Sequence, residues 1–499
     1  MALTEADLKN LPKDGIDAED PGKYETLLKD LQGNILKSHG REHSVHLFLK
    51  WKSDRVYHAK KWIKDFATDP DPEDKQAEDK NKDKYKIYVT SAYRQAQEAA
   101  HFRVTKTEGE IFANVFFSRK GYEALGFDPF DVPKDQPFTM GMKNTRVKEM
   151  LKDPEVEEWE KGYQSDIDAL ILIADDDLNI LLQAVNRITP GLREVAEIVH
   201  REDGFVLRNE NNQVREHFGF ADGVSQPLFL KRDIVKARTN DCNFSQWDPR
   251  ASLDIILVKD YNGKTEDSYG SFLVYRKYEQ AVQTWVKYVL ELTKKLGKNP
   301  NNMADALYAG ALVMGRFHDG TPVTKSDIPT HAAAPTNNFN YDADIKGMKC
   351  PFQAHTRKTN PRGDTGRVES SQNYDVDFAI EKSRRIARRA ISYGQSKDIM
   401  NTPDTGSGLL FLCFQADIAK QFNFLQDRWA NPDRFVKVGV GTDPVIGQPG
   451  CNQDSPVQHK WPQKWGEADT VDYPFQKSIT MKGGEYFFAP SISFLQSLV

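Results

Sequence analysis

The sequence predicts an α+β protein in which helices pack on mainly antiparallel sheet. Short apolar or alternating runs of strand type recur along the whole chain, at residues 45–49, 111–117, 169–174, 271–275, 408–414 and 485–488. Runs of helical period come between them, but irregularly and with long insertions, unlike a regular strand–helix–strand series. No glycine-rich phosphate loop follows any of these runs, which speaks against a dinucleotide-binding or nucleotide-hydrolysing fold.

The first predicted helix covers residues 23–31. Tyr24, Leu27, Leu28 and Leu31 fall at i, i+3, i+4 and i+7, and Gly33 follows as a stop. Val45, Leu47 and Leu49 alternate with polar neighbours, the period of a half-buried strand. Residues 69–84 are almost all charge, Pro and Gln, the composition of a solvated loop. Helices are predicted at 178–185, at 278–296 and at 416–429. The second of these has Ala281, Val282, Trp285, Val289 and Leu292 on one stripe and Gly297 at its end.

At 499 residues the chain is long enough for two large domains or roughly three of ~150 residues. Hydrophobic residues at 39% and aromatics at 11% supply a sizeable core, which excludes a disordered chain. With 68 basic and 73 acidic residues, no cationic excess exists to neutralise a nucleic-acid backbone. Cys242, Cys350, Cys413 and Cys451 lie far apart, without the paired spacing of a zinc site or disulfide framework. No run of ~18 apolar residues suggests a membrane span. The N-terminus lacks a basic start followed by an apolar run, so a cytoplasmic location is expected, with secretion by another route left open.

Three segments concentrate chemistry. In Glu216-His217-Phe218-Gly219-Phe220-Ala221-Asp222-Gly223-Val224-Ser225-Gln226-Pro227, an Asp flanked by two glycines sits where backbone can turn tightly beside a ligand. Phe218 and Phe220 make the surroundings apolar, which suits a carboxyl to proton shuttling; the same residues also suit a plain capped turn. Cys350 to Arg362 contains His355 followed by Arg357, Lys358 and Arg362, compatible with an imidazole metal ligand beside an anionic cofactor or with an exposed basic loop. Arg384 to Gly394 is an Arg-rich stretch that also reads as a solvated helix end. His39, His43 and His46 have no carboxylate or Cys at ligand spacing and read as scattered surface histidines. No Ser-His-Asp or Gly-x-Ser-x-Gly arrangement points to a hydrolase.

Together these segments resemble the dye-decolourising peroxidase family of haem enzymes. Gly219-Phe220-Ala221-Asp222-Gly223 matches that family's GxxDG signature, extended through Ser225-Gln226-Pro227. His355 to Arg362 looks like its haem-ligand segment, and Arg388, six residues before Gly394, falls where the family carries its distal arginine. The resemblance reaches both ends, through Asp30-Leu31-Gln32-Gly33-Asn34-Ile35-Leu36 and Gly483-Gly484-Glu485-Tyr486-Phe487-Phe488.

The resemblance implies two ferredoxin-like domains of the dimeric α+β barrel type, at residues 28–210 and 211–499 after an extension at 1–27. It implies one haem b per chain, held in the C-terminal half with His355 as proximal ligand. Asp417 would orient His355 by taking its second N–H. Asp222 would be the distal acid–base group and Arg388 the stabiliser of negative charge as hydrogen peroxide is cleaved to form a high-valent ferryl species. An Asp, with an ordinary pKa of ~3.9, implies an acidic optimum in this role. Leu409 and Phe411 would line the distal pocket, and Arg357, Lys358 and Arg362 would pair with the haem propionates. Donors would be dyes, phenolics or lignin-type aromatics, reached through a surface Tyr or Trp; Tyr393, near Arg388, is one candidate. Nucleic acid and membrane are not expected partners, and homo-oligomerisation is left open. A haem-binding or iron-releasing protein of deferrochelatase type, a haem store, and a non-haem oxygenase are the alternatives.

Overall fold

In the computed structural model, four strands from the first half of the chain and four from the second join edge to edge into one closed sheet. The structure describes residues 2–68, 87–105, 109–209, 212–332, 334–367, 378–395, 399, 401–448 and 459–499. The charged segment 69–84 lies outside the described residues.

The strands are β1 (His43–Trp51), β2 (Phe112–Phe117), β3 (Ala169–Asp175), β4 (Ala196–Phe205), β5 (Tyr269–Gln280), β6 (Ile391–Gly394), β7 (Ser407–Gln415) and β8 (Ile479–Ala489). Around the barrel the order is β5, β8, β2, β3, β1, β4, β6, β7, and the ladder from Gly408↔Glu279 to Gln415↔Phe272 returns to β5. Every neighbour pair is antiparallel. Closure removes the unpaired edges that each four-stranded half would otherwise expose. The two halves of one chain therefore complete a barrel between themselves.

The seams between the halves are short. β4 meets β6 only at Phe205↔Ser392 and Gly204↔Tyr393, and β2 meets β8 only at Phe117↔Phe488. A side chain extends the second seam. Gln32, fully buried, accepts from Val115 N–H at 2.9 Å and donates to the Val115 carbonyl at 2.7 Å and the Pro490 carbonyl at 2.9 Å. Two residues earlier, the Asp30 carboxylate accepts from Ser268 Oγ, Ser493 Oγ and Ser493 N–H. The 30–36 motif is thus the strap that ties the N-terminal half to the end of the chain.

β1 packs under the helix α2 (Leu178–Val195), which in turn meets α1 (Val56–Ala67), and the residues that alternate with Val45, Leu47 and Leu49 are buried as well. Inside the barrel, Phe48 meets Tyr163 and Tyr275 edge to face, and His46 Nδ1 bonds the Tyr275 hydroxyl at 3.1 Å. Two of the three histidines expected on the surface are consequently interior. Burial drives His46 down to about 4 and His39 to about 3, so both are neutral.

Other boundaries moved for identifiable reasons. Residues 278–280 of the predicted helix 278–296 belong to β5, because their backbone pairs with β7 and β8; the helix itself is α3 (Val282–Lys295). α2 continues ten residues past its predicted end, through Pro190. α4 (Met303–Met314) was not foreseen: it is apolar nearly all round and buried, so it has no stripe. Residues 417–421 of the predicted helix 416–429 form a turn, and helical backbone begins only at Phe422. Among the described residues no helix is long and apolar enough to cross a membrane.

Candidate active site

A cavity of about 250 Å³ lies between the outer face of β5 and β7, the loop after Arg215, and the segment beginning at His355. Asp222, Arg388, His355, Leu409, Phe411 and Arg362 all line it. Side chains as distant in sequence as Asp222 and Phe411 are thereby brought to one space.

The loop carrying Asp222 is built from its own first residue. The Glu216 carboxylate accepts from Phe218 N–H and Phe220 N–H, each at 2.9 Å. Gly219 adopts φ +93°, and a Cβ there would meet Ile399 at 2.4 Å, so glycine is required. Phe218 stacks on Trp285 at 4.4 Å, anchoring the loop to α3. Asp222 is partly exposed, towards the cavity, and its Oδ1 accepts from Gly223 N–H at 2.6 Å. His217 beside it donates Nε2–H to the Tyr393 carbonyl at 2.8 Å and is structural.

The extended Ser225-Gln226 part of the motif holds Arg388. Gln226 Oε1 accepts from Arg388 N–H at 3.0 Å, and the Ser225 carbonyl accepts from Arg388 Nη2 at 3.1 Å. Arg388 sits in a two-residue strand paired with Cys413 of β7, not on a helix end. Acid and guanidinium are fixed relative to each other by hydrogen bonds only three and four residues past Asp222.

His355 opens the short helix α5 (His355–Thr359). Its Nδ1 lies 2.8 Å from Asp443 Oδ2, which leaves Nε2 for a ligand. Burial disfavours a charged Asp443, but the His355 ring and the N–H groups of Val445 and Ile446 outweigh it and hold the carboxyl below its ordinary value. The residue expected in this role, Asp417, is elsewhere. It caps the turn before Phe422, accepting from Lys420 N–H at 2.8 Å and pairing with Lys420 Nζ at 2.8 Å. Asp443 lies 88 residues beyond His355 with no helical or strand spacing to link them. Its one local sign is an Asp in an otherwise apolar and glycine-rich stretch.

The basic residues divide likewise. Arg362 lines the cavity, donating to the Ser225 hydroxyl and to Asn337 and Phe339. Arg357 and Lys358 do not reach it. Arg357 is buried between Asp364 and Asp344, which outweigh the penalty of burial and keep it fully cationic. Lys358 Nζ donates at 2.6 Å to the carbonyls of Pro432 and Gly441, and burial lowers its pKa to about 7. Two arginines that sequence reading missed, Arg316 and Arg385, join Arg362 on the cavity wall. Burial pulls Arg316 and Arg385 down to about 10 and Arg362 to about 9. Their hydrogen bonds run to carbonyls, an amide and a hydroxyl, and none forms an ion pair with a carboxylate among the described residues. Buried cations without a carboxylate in direct contact among the described residues suit an anionic ligand, and with the His355 Nε2 across the cavity they fit a haem and its propionates.

Tyr393 is buried beneath Lys277 Nζ, so it cannot itself meet a bulky donor at the surface. Glu160, His200 and Glu202 cluster closely enough to suggest a cation site, but Lys277 Nζ already lies 2.8 Å from both carboxylates.

Family models describe the same molecule. Residues 30–207 match the DyP dimeric alpha+beta barrel domain, and residues 242–437 the C-terminal domain of Dyp-type peroxidases. The multifunctional dye peroxidase DyP2 of Amycolatopsis sp. is 35% identical over 489 residues, covering 96% of this chain and 97% of its own. The crystal structure of an Anabaena sp. DyP-type peroxidase superposes with a TM-score of 0.90 at 57% identity and full coverage of both chains. Two deferrochelatases from Yersinia species also match, over 52% of this chain and 48% of theirs.

Proposed function

The chain belongs to the dye-decolourising peroxidase family of haem enzymes, and on that premise we propose that it binds one haem b in the 250 Å³ cavity and reduces hydrogen peroxide at the expense of dye, phenolic or lignin-type aromatic donors. One observation carries this reading: a single cavity is lined by His355 backed by Asp443, by Asp222 tied through its loop to Arg388, and by three arginines that form no ion pair among the described residues.

The haem, when bound, supplies the iron that reacts with peroxide and stores its oxidising equivalents. His355 would hold that iron through Nε2, while Asp443 takes Nδ1–H, fixes the ring and makes it a stronger donor. Arg316, Arg362 and Arg385 would receive the propionates. On the opposite side Asp222 accepts a proton from one peroxide oxygen and returns it to the other, which leaves as water. Arg388, permanently cationic, stabilises the negative charge that develops on the leaving oxygen. Leu409 and Phe411, the latter packed edge-on against Tyr278, form an apolar wall of the cavity that would exclude bulky donors from it.

The test is an absorbance spectrum of the purified protein before and after one equivalent of peroxide. The wild type should show a Soret band that changes within the mixing time. Asp222→Asn should keep the band but react slower by roughly 10²- to 10⁴-fold. An unchanged rate in Asp222→Asn overturns the assignment of Asp222. Haem storage or iron release would need neither Asp222 nor Arg388, so the same variant separates those readings from a peroxidase.

A further inference from the structure

Glu216 lines the cavity beside Asp222, and the mechanism above does not use it. Its two carboxylate oxygens receive the N–H groups of Phe218 and Phe220, and Oε2 also receives Gln280 Nε2 from the end of β5. Its own backbone closes the same turn, with Gly219 N–H donating to the Glu216 carbonyl at 2.9 Å and Glu216 N–H to the Phe220 carbonyl at 3.1 Å. Backbone N–H groups two residues apart converging on one carboxylate form a small anion-binding nest, here filled by the chain itself. The residues that follow inherit the position: Ala221 N–H donates to the His318 carbonyl at 2.8 Å and Asp222 N–H to the Val214 carbonyl at 3.0 Å. Among the described residues no Lys or Arg pairs with Glu216, so its oxygens are committed to the loop and to the barrel wall.

We propose that Glu216 is a positioning residue for Asp222: its carboxylate clamps the 216–222 loop to β5 and so holds the distal acid over the cavity. The inference rests on the reading of Asp222 as that acid. Burial raises the Glu216 carboxyl to about 7, and the nearby charge of Asp222 adds to the rise. Glu216 therefore takes up a proton as the pH falls below about 7, and the two acids of the loop feel each other's charge.

Glu216→Gln keeps the shape, but one of its two polar ends becomes a donor facing N–H groups. Amide hydrogen exchange at Phe218, Phe220 and Asp222 should accelerate in this variant, and kcat/KM for peroxide should fall by about 10- to 100-fold, as a misplaced acid requires. Gln280→Leu, which alters the barrel side of the clamp and leaves the loop sequence intact, should shift both readouts in the same direction by less. In an Asp222→Asn background, Glu216→Gln should produce little further loss, because a residue that acts through Asp222 has nothing left to position. A full additional loss in that background, or unchanged exchange at Phe218 and Phe220 in Glu216→Gln, overturns the proposal. Should Asp222→Asn alone leave peroxide turnover intact, the reading of Asp222 fails, and with it the catalytic part of the inference; the exchange measurement then still decides whether the clamp exists.

Discussion

At the scale of single residues, the pairing of His355 with Asp443 sets how electron-rich the His355 imidazole is. A carboxylate at 2.8 Å with two backbone N–H groups on its other oxygen is ionised and stationary, so the imidazole is held in one tautomer and pushed towards imidazolate. Asp443→Asn should raise the reduction potential of the bound iron and lower kcat/KM for peroxide by about 10- to 100-fold. Asp417→Asn, whose carboxylate among the described residues bonds to Lys420 and not to His355, should leave both within error, and an effect there as large as in Asp443→Asn would contradict the geometry. Asp417 was expected in this role because it ends a strand-like run at the place where the family resemblance implied an acid. The loop from Gly441 that brings Asp443 under His355 has no such marker.

At the scale of elements, the barrel depends on seams that its own ladders barely make. Gln32 replaces a missing strand at the β2–β8 seam by presenting a side-chain amide where a peptide would be. Gln32→Leu would leave a buried N–H and two buried carbonyls short of a partner, which should destabilise the protein by on the order of 2 kcal/mol. Urea or thermal unfolding measures this, and a loss below a few tenths of a kcal/mol would show that the seam does not depend on it. The same scale explains why the strand runs at 169–174 and 408–414 were legible while the ends of β5 and α3 were not. Strand cores are runs of residues that bury on both faces, whereas the change from strand to helix near Gln280 is set by which neighbours offer hydrogen bonds.

For the whole molecule, the interior is polar enough to make stability depend on pH. His39, His46, His318 and His459 are held neutral, at about 3 for the first and about 4 for the others, against an ordinary value of ~6.5. Because the unfolded chain binds those protons more readily, stability is complete above pH ~6.5 and is lost as the pH falls towards 4. Glu216 and Asp135, raised to about 7 and about 6 by burial, take up protons in the folded state and oppose this over part of the same window. His217, also lowered by burial, adds to the loss, while Asp168, Asp260, Asp364, Glu381 and Asp427, all raised by burial, add to the opposition. The histidine contribution is isolated by His46→Gln: its unfolding free energy should fall less steeply than the wild type's between pH ~6.5 and about 4, and an unchanged slope would show that His46 titrates freely in the folded state.

The sequence by itself determined the class of fold, the family and the three segments that meet in the cavity, because each is written locally: periodicity in the strands and helices, and the unbroken runs 216–227, 355–362 and 384–394. It also marked Asp222, Arg388 and His355, each of which lines the cavity. Only the tertiary structure decided which acid lies against His355, which arginines face the cavity, and that the histidines near β1 are interior. Those outcomes depend on contacts between residues tens to hundreds of positions apart. Electrostatic partnership and burial are set by distance in space, and the spacing of residues along the chain carries no record of it.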